Sequence, residues 1–176
     1  MKHTLAEVAF IPLNIAVMVV SDSRTNADDK SGKILVDRLI KANHNLVEKR
    51  IVPDDIYQMR ASVSNWIADP DVHAVITTGG TGLTGRDVTP EAMKPLYDKE
   101  IVGFGEVFRQ ISYDLIKTST IQSRAIAGLA NGTVIFSLPG SPGACKDGWD
   151  GIIVHQLDSR VKPCNLVEMM PRFLEK

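Results

Sequence analysis

The chain has 176 residues, 44% of them apolar and 23% charged, a composition that supports a packed core and excludes disorder as the main state. Twenty lysines and arginines stand against 21 aspartates and glutamates, so the net charge is −1 and the all-over basic surface of a nucleic-acid binder is excluded. Cys145 and Cys164 are too few for a disulfide scaffold and point to a reducing, cytoplasmic setting, and no apolar stretch reaches the roughly 18–20 residues of a membrane helix. Neither a signal peptide nor a membrane contact is expected. His3, His44, His73 and His155 are scattered, with no metal-ligand spacing.

In chain order, residues 14–20 (NIAVMVV) form a short apolar run that reads as a buried strand. The polar stretch SDSRTNADDKSG follows, with Asp22, Asp28 and Asp29 read as turn residues and solvated charge. A helix then carries Leu35, Leu39 and Ala42, with Ser31 placed to cap it and Asn43 to end it. Residues 45–52 read as a second strand. Ile56, Met59, Val63, Trp66 and Ile67 lie on one face of a second helix, and residues 72–78 (VHAVITT) read as a third strand. Strand, helix, strand, helix, strand argues for a parallel sheet.

Further on, Thr89 and Pro90 mark a helix start, and Phe104, Phe108, Ile111 and Leu115 fall on one face of another helix. Those apolar residues either belong to the core or pack against a neighbouring subunit. Two apolar runs flank Asn131–Gly132, a strong hairpin signal that adds an antiparallel edge to the sheet. Cys145, Trp149, Ile152 and Leu157 mark a helix after the PGSPG turn, and the tail from Pro163 has no clear pattern. Trp66 and Trp149 lie on apolar helical faces, as core residues do. The whole chain, 1–176, reads as a single α/β domain with a mostly parallel sheet and an antiparallel edge.

Ligands of such sheets bind beyond the carboxyl ends of the strands. The loop from Thr77 to Glu91 is the richest candidate there. Its glycines (Gly79, Gly80, Gly82, Gly85) let backbone amides approach an anion, Thr81 offers a hydroxyl, Arg86 a cation and Asp87 a carboxylate for magnesium. A long turn built on glycine is the alternative. The segment is neither a P-loop nor a dinucleotide fingerprint, because both spacings are absent. Asp54 and Asp55 stand where a helix cap is favoured, and Asp55 with Gln58 fits a capping box. The turn Pro139–Gly140–Ser141 opens a helix whose first amides can meet an anion.

The segments ITTGGTGLTGRDVTPEAM, IVGFGEVFRQIS, TSTIQSRAIAGLANGTVIFSLPGSPGACK and RVKPCN resemble the MoaB/MogA family of molybdenum-cofactor biosynthesis proteins, from about Pro12 to Asn165. LPGSPGACK and KPCN look closer to the MoaB branch. The resemblance implies a three-layer α/β/α fold assembled as homotrimers or homohexamers. It implies adenylylation of molybdopterin with ATP and magnesium, and a molybdenum-insertion enzyme as downstream partner. By the same resemblance Asp54 and Asp87 are catalytic and hold the metal. Gly79, Gly80, Thr81 and Gly82 form the phosphate loop, with Arg86 beside it, and Ser137, Pro139, Gly140 and Ser141 line the pocket from the other side. A non-catalytic pterin-binding or scaffolding protein is the second function this fold allows.

Overall fold

A computed structural model describes residues 4–175. After a two-residue strand, β1 (Thr4–Leu5), comes β2 (Asn14–Val20), buried from Ile15 onward as its unbroken apolar run requires. Then follow α1 (Lys30–Lys41), β3 (Asn45–Val52), α2 (Ile56–Ala68) and β4 (Ala74–Thr78). β4 begins two residues later than the apolar run suggests, because the Val72 amide closes a turn onto the Asp69 carbonyl.

The second half supplies α3 (Thr89–Met93), β5 (Lys99–Glu100), α4 (Val102–Ile116), β6 (Ile126–Ala130) and β7 (Thr133–Leu138). The expected C-terminal helix is α5 (Pro142–Gly148), continued by a π-helical turn at Trp149–Ile153 and by α6 (Val154–Gln156). The tail, unassigned from sequence, forms β8 (Val161–Lys162), which pairs with β1, and α7 (Leu166–Met169).

The main sheet has the order β3-β2-β4-β7-β6-β5. β3, β2, β4 and β7 run parallel, and β6 turns back on β7 through Asn131 and Gly132, both at positive φ (+47° and +86°), the geometry that Asn-Gly favours. β5 adds one more short antiparallel strand outside β6. Alternation along the strands divides the core into two layers. Ile15, Val17, Ile76, Phe136 and Leu138 face α1, α4 and α5, together with Phe104, Phe108 and Trp149. Met18, Val75 and Ile135 face α2 and α3, together with Met59, Val63 and Trp66. Phe104 and Phe108 are therefore core residues, whereas Leu115 is exposed rather than on the core face.

Local capping departs from expectation at one place. α1 is capped by Asp29, whose carboxylate accepts the Gly32 amide at 2.8 Å, and not by Ser31. Asp29 is buried and paired with Lys49 at 2.5 Å, so it is no solvated turn charge. Ser31 lies inside the helix and its hydroxyl donates to the Gly140 carbonyl at 2.8 Å, tying α1 to the loop after β7.

Candidate functional site

The carboxyl ends of β2, β4 and β7 and the loops beyond them surround a cleft of about 630 Å³. The loops after β4 and β7 are held against each other at their backbones. The Gly79 amide donates to the Leu138 carbonyl at 3.0 Å, and the Thr78 hydroxyl donates to the Pro139 carbonyl at 2.9 Å. A Cβ on Gly140 would lie 3.2 Å from Gly79 Cα, so the loops after β4 and β7 touch main chain to main chain. Gly79 and Gly80 adopt φ of +106° and +63°, which turn the chain sharply off the sheet. The Thr89 hydroxyl donates to the Gly79 carbonyl (2.8 Å) and the Thr89 amide to the Gly80 carbonyl (2.9 Å), closing the loop onto the start of α3.

The adjacent aspartates after β3 divide the work. Asp55 caps α2, accepting the Tyr57 and Gln58 amides at 3.0 and 2.9 Å. Asp54 takes no part in the cap. Its carboxylate accepts the Asp22 amide, and Oδ1 sits 3.0 Å from where a Cβ on Gly80 would be. Partial burial, the Asp22 charge and, less strongly, the Asp87 charge raise its pKa above the usual carboxylate value, against the pull of Arg86. Asp87 is shifted the other way. Burial pushes it up, but the Thr84 hydroxyl (2.6 Å), the Thr84 amide (2.9 Å), the Gly82 amide and the Arg124 charge more than offset this and hold it low. Two neighbouring carboxyls driven apart in this way are typical of a site with divided chemical roles.

Arg86 stands beside them, gripped by Asp22 through Nε at 2.9 Å and Nη2 at 2.6 Å; Asp22 also accepts the Asp54 amide at 3.1 Å. Asp22 is thus a bracket between the loops after β2 and β4. The donor set suits magnesium, which uses one or two carboxylates and takes its remaining oxygens from phosphates and water. Asp54 takes no part in capping α2, and Thr84 engages only Oδ2 of Asp87. Among the described residues no three His, Cys, Asp or Glu side chains form a metal cluster, so a bound cation would need substrate oxygens as well.

Of the residues expected in the site, Asp54, Asp87, Gly79, Gly80, Thr81, Gly82, Arg86, Pro139, Gly140 and Ser141 all line the cleft. Ser137 does not. Strand alternation turns it to the α2–α3 layer beside its register partner Thr77; the Thr77 hydroxyl is buried without a partner, and the buried Ser137 hydroxyl faces that of Tyr97. Ser137→Ala should therefore leave ligand binding and turnover within twofold of wild type, and the loss of its contact with Tyr97 should lower folding stability by only about 1 kcal/mol in urea titration.

Sequence reasoning missed the cleft's far wall, where Phe108, Ser112, Thr120 and Ser123 project from α4 and the 3-10 turn Lys117–Gln122 and the residue that follows it. It also missed Arg124, which contacts the glycine loop from behind. Cys145 lies under the cleft, 3.1 Å from the Thr78 hydroxyl, but burial pushes its thiol up to about 11, so it is an inert core residue and no nucleophile.

A doubly covered, mostly parallel sheet with a glycine loop and two carboxylates at its carboxyl rim defines an α/β domain with its cleft where such folds take their ligands. The sequence profile described as a probable molybdopterin binding domain matches residues 16–159, and the chain belongs to that family. It is 54% identical over 156 residues to molybdenum cofactor biosynthesis protein B of Escherichia coli K12, covering 89% of this chain and 92% of that protein. The Bacillus subtilis protein of the same name is 44% identical over 142 residues, covering 80% and 84%. Among solved structures, a crystal structure of molybdenum cofactor biosynthesis protein B superposes with a TM-score of 0.82 at 43% identity, covering 85% of this chain and 94% of that one. The tungsten cofactor synthesizing protein MoaB from Pyrococcus furiosus gives 0.73 at 40% identity, covering 81% and 91%.

Proposed function

We propose that the chain acts in molybdenum cofactor biosynthesis as a magnesium-dependent adenylyltransferase for molybdopterin. A terminal phosphate oxygen of molybdopterin attacks the α-phosphorus of ATP. A new P–O–P anhydride bond forms, the bond between the α- and β-phosphates breaks, and pyrophosphate leaves. Such a transfer needs positioning and charge neutralisation more than a covalent nucleophile. Bound magnesium would supply that neutralisation between the phosphates and the carboxylates of Asp54 and Asp87. The amides of Gly80 and Thr81 cradle phosphate oxygens, and Arg86 presents a further cation once phosphate competes with Asp22 for it. The Ser141 end of the cleft closes the opposite side.

The observation that carries this reading is the Asp54 carboxylate, left out of the helix cap, set against Gly80 and crowded by the Asp22 and Asp87 charges. Incubating the protein with molybdopterin, ATP and magnesium should yield AMP-bearing pterin and an equal amount of pyrophosphate. Saturable binding of both ligands with no AMP transfer would overturn the enzyme reading and leave a pterin-binding protein.

The same reading includes self-association as a trimer or hexamer, and a downstream molybdenum-insertion enzyme as recipient of the product. Val102, Tyr113, Leu115 and Ile121 form exposed apolar surface on α4 and the turn after it. Light scattering at micromolar concentration should give the mass of three or six chains. A monomer mass would contradict that assembly.

A further inference from the structure

Arg124, between the 3-10 turn and β6, lies behind the glycine loop and does not line the cleft. It nevertheless holds that loop at several points. Its backbone amide donates to the Thr81 carbonyl at 3.1 Å, Nε to the Gly82 carbonyl at 2.8 Å and Nη2 to the Asp87 carbonyl at 2.6 Å. Nη1 pairs with the Glu91 carboxylate in the first turn of α3. One planar fork therefore grips both arms of the loop and the helix that follows.

The consequence lies in peptide geometry. In a trans peptide the C=O and N–H point to opposite sides. Holding the Thr81 carbonyl on Arg124 sends the Gly82 amide the other way, and that amide is one of the donors to the Asp87 carboxylate. Holding the Gly82 carbonyl sends the Leu83 amide away from Arg124 in the same manner. The loop is thereby polarised, with carbonyls on the Arg124 side and amides on the Asp87 side. A lysine, with its single ammonium on a flexible stem, cannot reproduce a fork that spans two carbonyls and a carboxylate.

We infer that Arg124 is a positioning residue, which fixes the Asp87 carboxylate and the amide face of the glycine loop from behind without touching a reacting atom. The inference rests on the proposed reaction at that cleft, but its geometric half is readable without turnover. Amide hydrogen exchange and steady-state kinetics on wild type, Arg124→Lys and Arg124→Ala test it. Exchange at Gly82, Leu83 and Thr84 should accelerate about tenfold or more in both variants while β2 and β4 keep wild-type protection. The magnesium concentration for half-maximal AMP transfer should rise and kcat should fall about 10- to 100-fold, as for other groups that orient a metal ligand, with KM for ATP changing less than threefold. Millimolar guanidinium should partly restore Arg124→Ala and leave Arg124→Lys unrestored. Unchanged exchange in the loop overturns the clamp, and faster exchange with unchanged kcat and magnesium requirement overturns the positioning of Asp87. If wild type transfers no AMP, the proposed reaction falls, and the exchange rates alone then uphold or overturn the clamp.

Discussion

Replacing Asp54 with asparagine is expected to lower AMP transfer by about 100-fold or more while leaving the melting temperature unchanged or higher. The substitution preserves shape, and the backbone amide of residue 54 keeps its bond to Asp22. What is lost is one negative charge that burial, Asp22 and Asp87 all oppose in the folded chain. The sign follows from linkage. A carboxyl whose pKa is raised on folding makes the fold less stable as pH rises from the ordinary value of 3.8 through the raised one, and the full cost persists above that window. The uncharged amide of Asp54→Asn escapes this cost, so the variant gains most, relative to wild type, at neutral pH. Activity depends on the same charge in the opposite sense. Wild-type turnover should fall as pH drops through the raised pKa of Asp54, while Asp87, held low by Thr84 and Gly82, is still ionised. Thermal melts and a pH–rate profile measure both halves. Wild-type turnover in Asp54→Asn would remove this residue from the reaction.

The second large effect concerns backbone rather than charge. Gly79→Ala is expected to cost about 3 kcal/mol or more of folding stability and to abolish ligand binding. At φ +106° an L-residue is strained, and the new Cβ would lie 2.2 Å from the Val20 carbonyl oxygen, a backbone atom of the neighbouring strand that cannot move aside. Gly85, in the same loop, supplies the control. A Cβ there meets nothing within 4 Å, so Gly85→Ala should stay within about 0.5 kcal/mol of wild type. Urea titration distinguishes the two. Equal stability for both variants would mean that the turn at Gly79 is not a rigid element.

What could be read from the sequence follows a physical rule. Patterns governed by local periodicity were legible. The unbroken apolar run of β2, the amphipathic face of α2 and the Asn-Gly turn between β6 and β7 each declare their structure within a few residues. Ten of the eleven site residues also meet in one cleft, because loops at the carboxyl rim of a parallel sheet converge by topology. Ser137 is the exception, and period-two alternation contained the warning: Phe136 and Leu138 share one face, so Ser137 must take the other.

Other features had no local signature. Asp29 and Ser31 are both acceptable caps, and the choice depends on Lys49, twenty residues away on β3. Arg124 binds backbone carbonyls 37 and 42 residues earlier, and a carbonyl carries no side-chain identity that a sequence pattern can register. The far wall of the cleft comes from α4, whose apolar face marks it as a core helix. Only the packing places Ser112 and Thr120 opposite the glycine loop.

The place where a nucleotide and its metal sit decides most directly whether this cleft carries the reaction. A crystal of the protein soaked with ATP and magnesium should show phosphate oxygens on the amides of Gly80 and Thr81, with one magnesium ion bridging those phosphates to the carboxylates of Asp54 and Asp87 and Asp55 still capping α2. Nucleotide bound away from the glycine turn, or phosphates in place with Asp54 and Asp87 facing no metal, would contradict it.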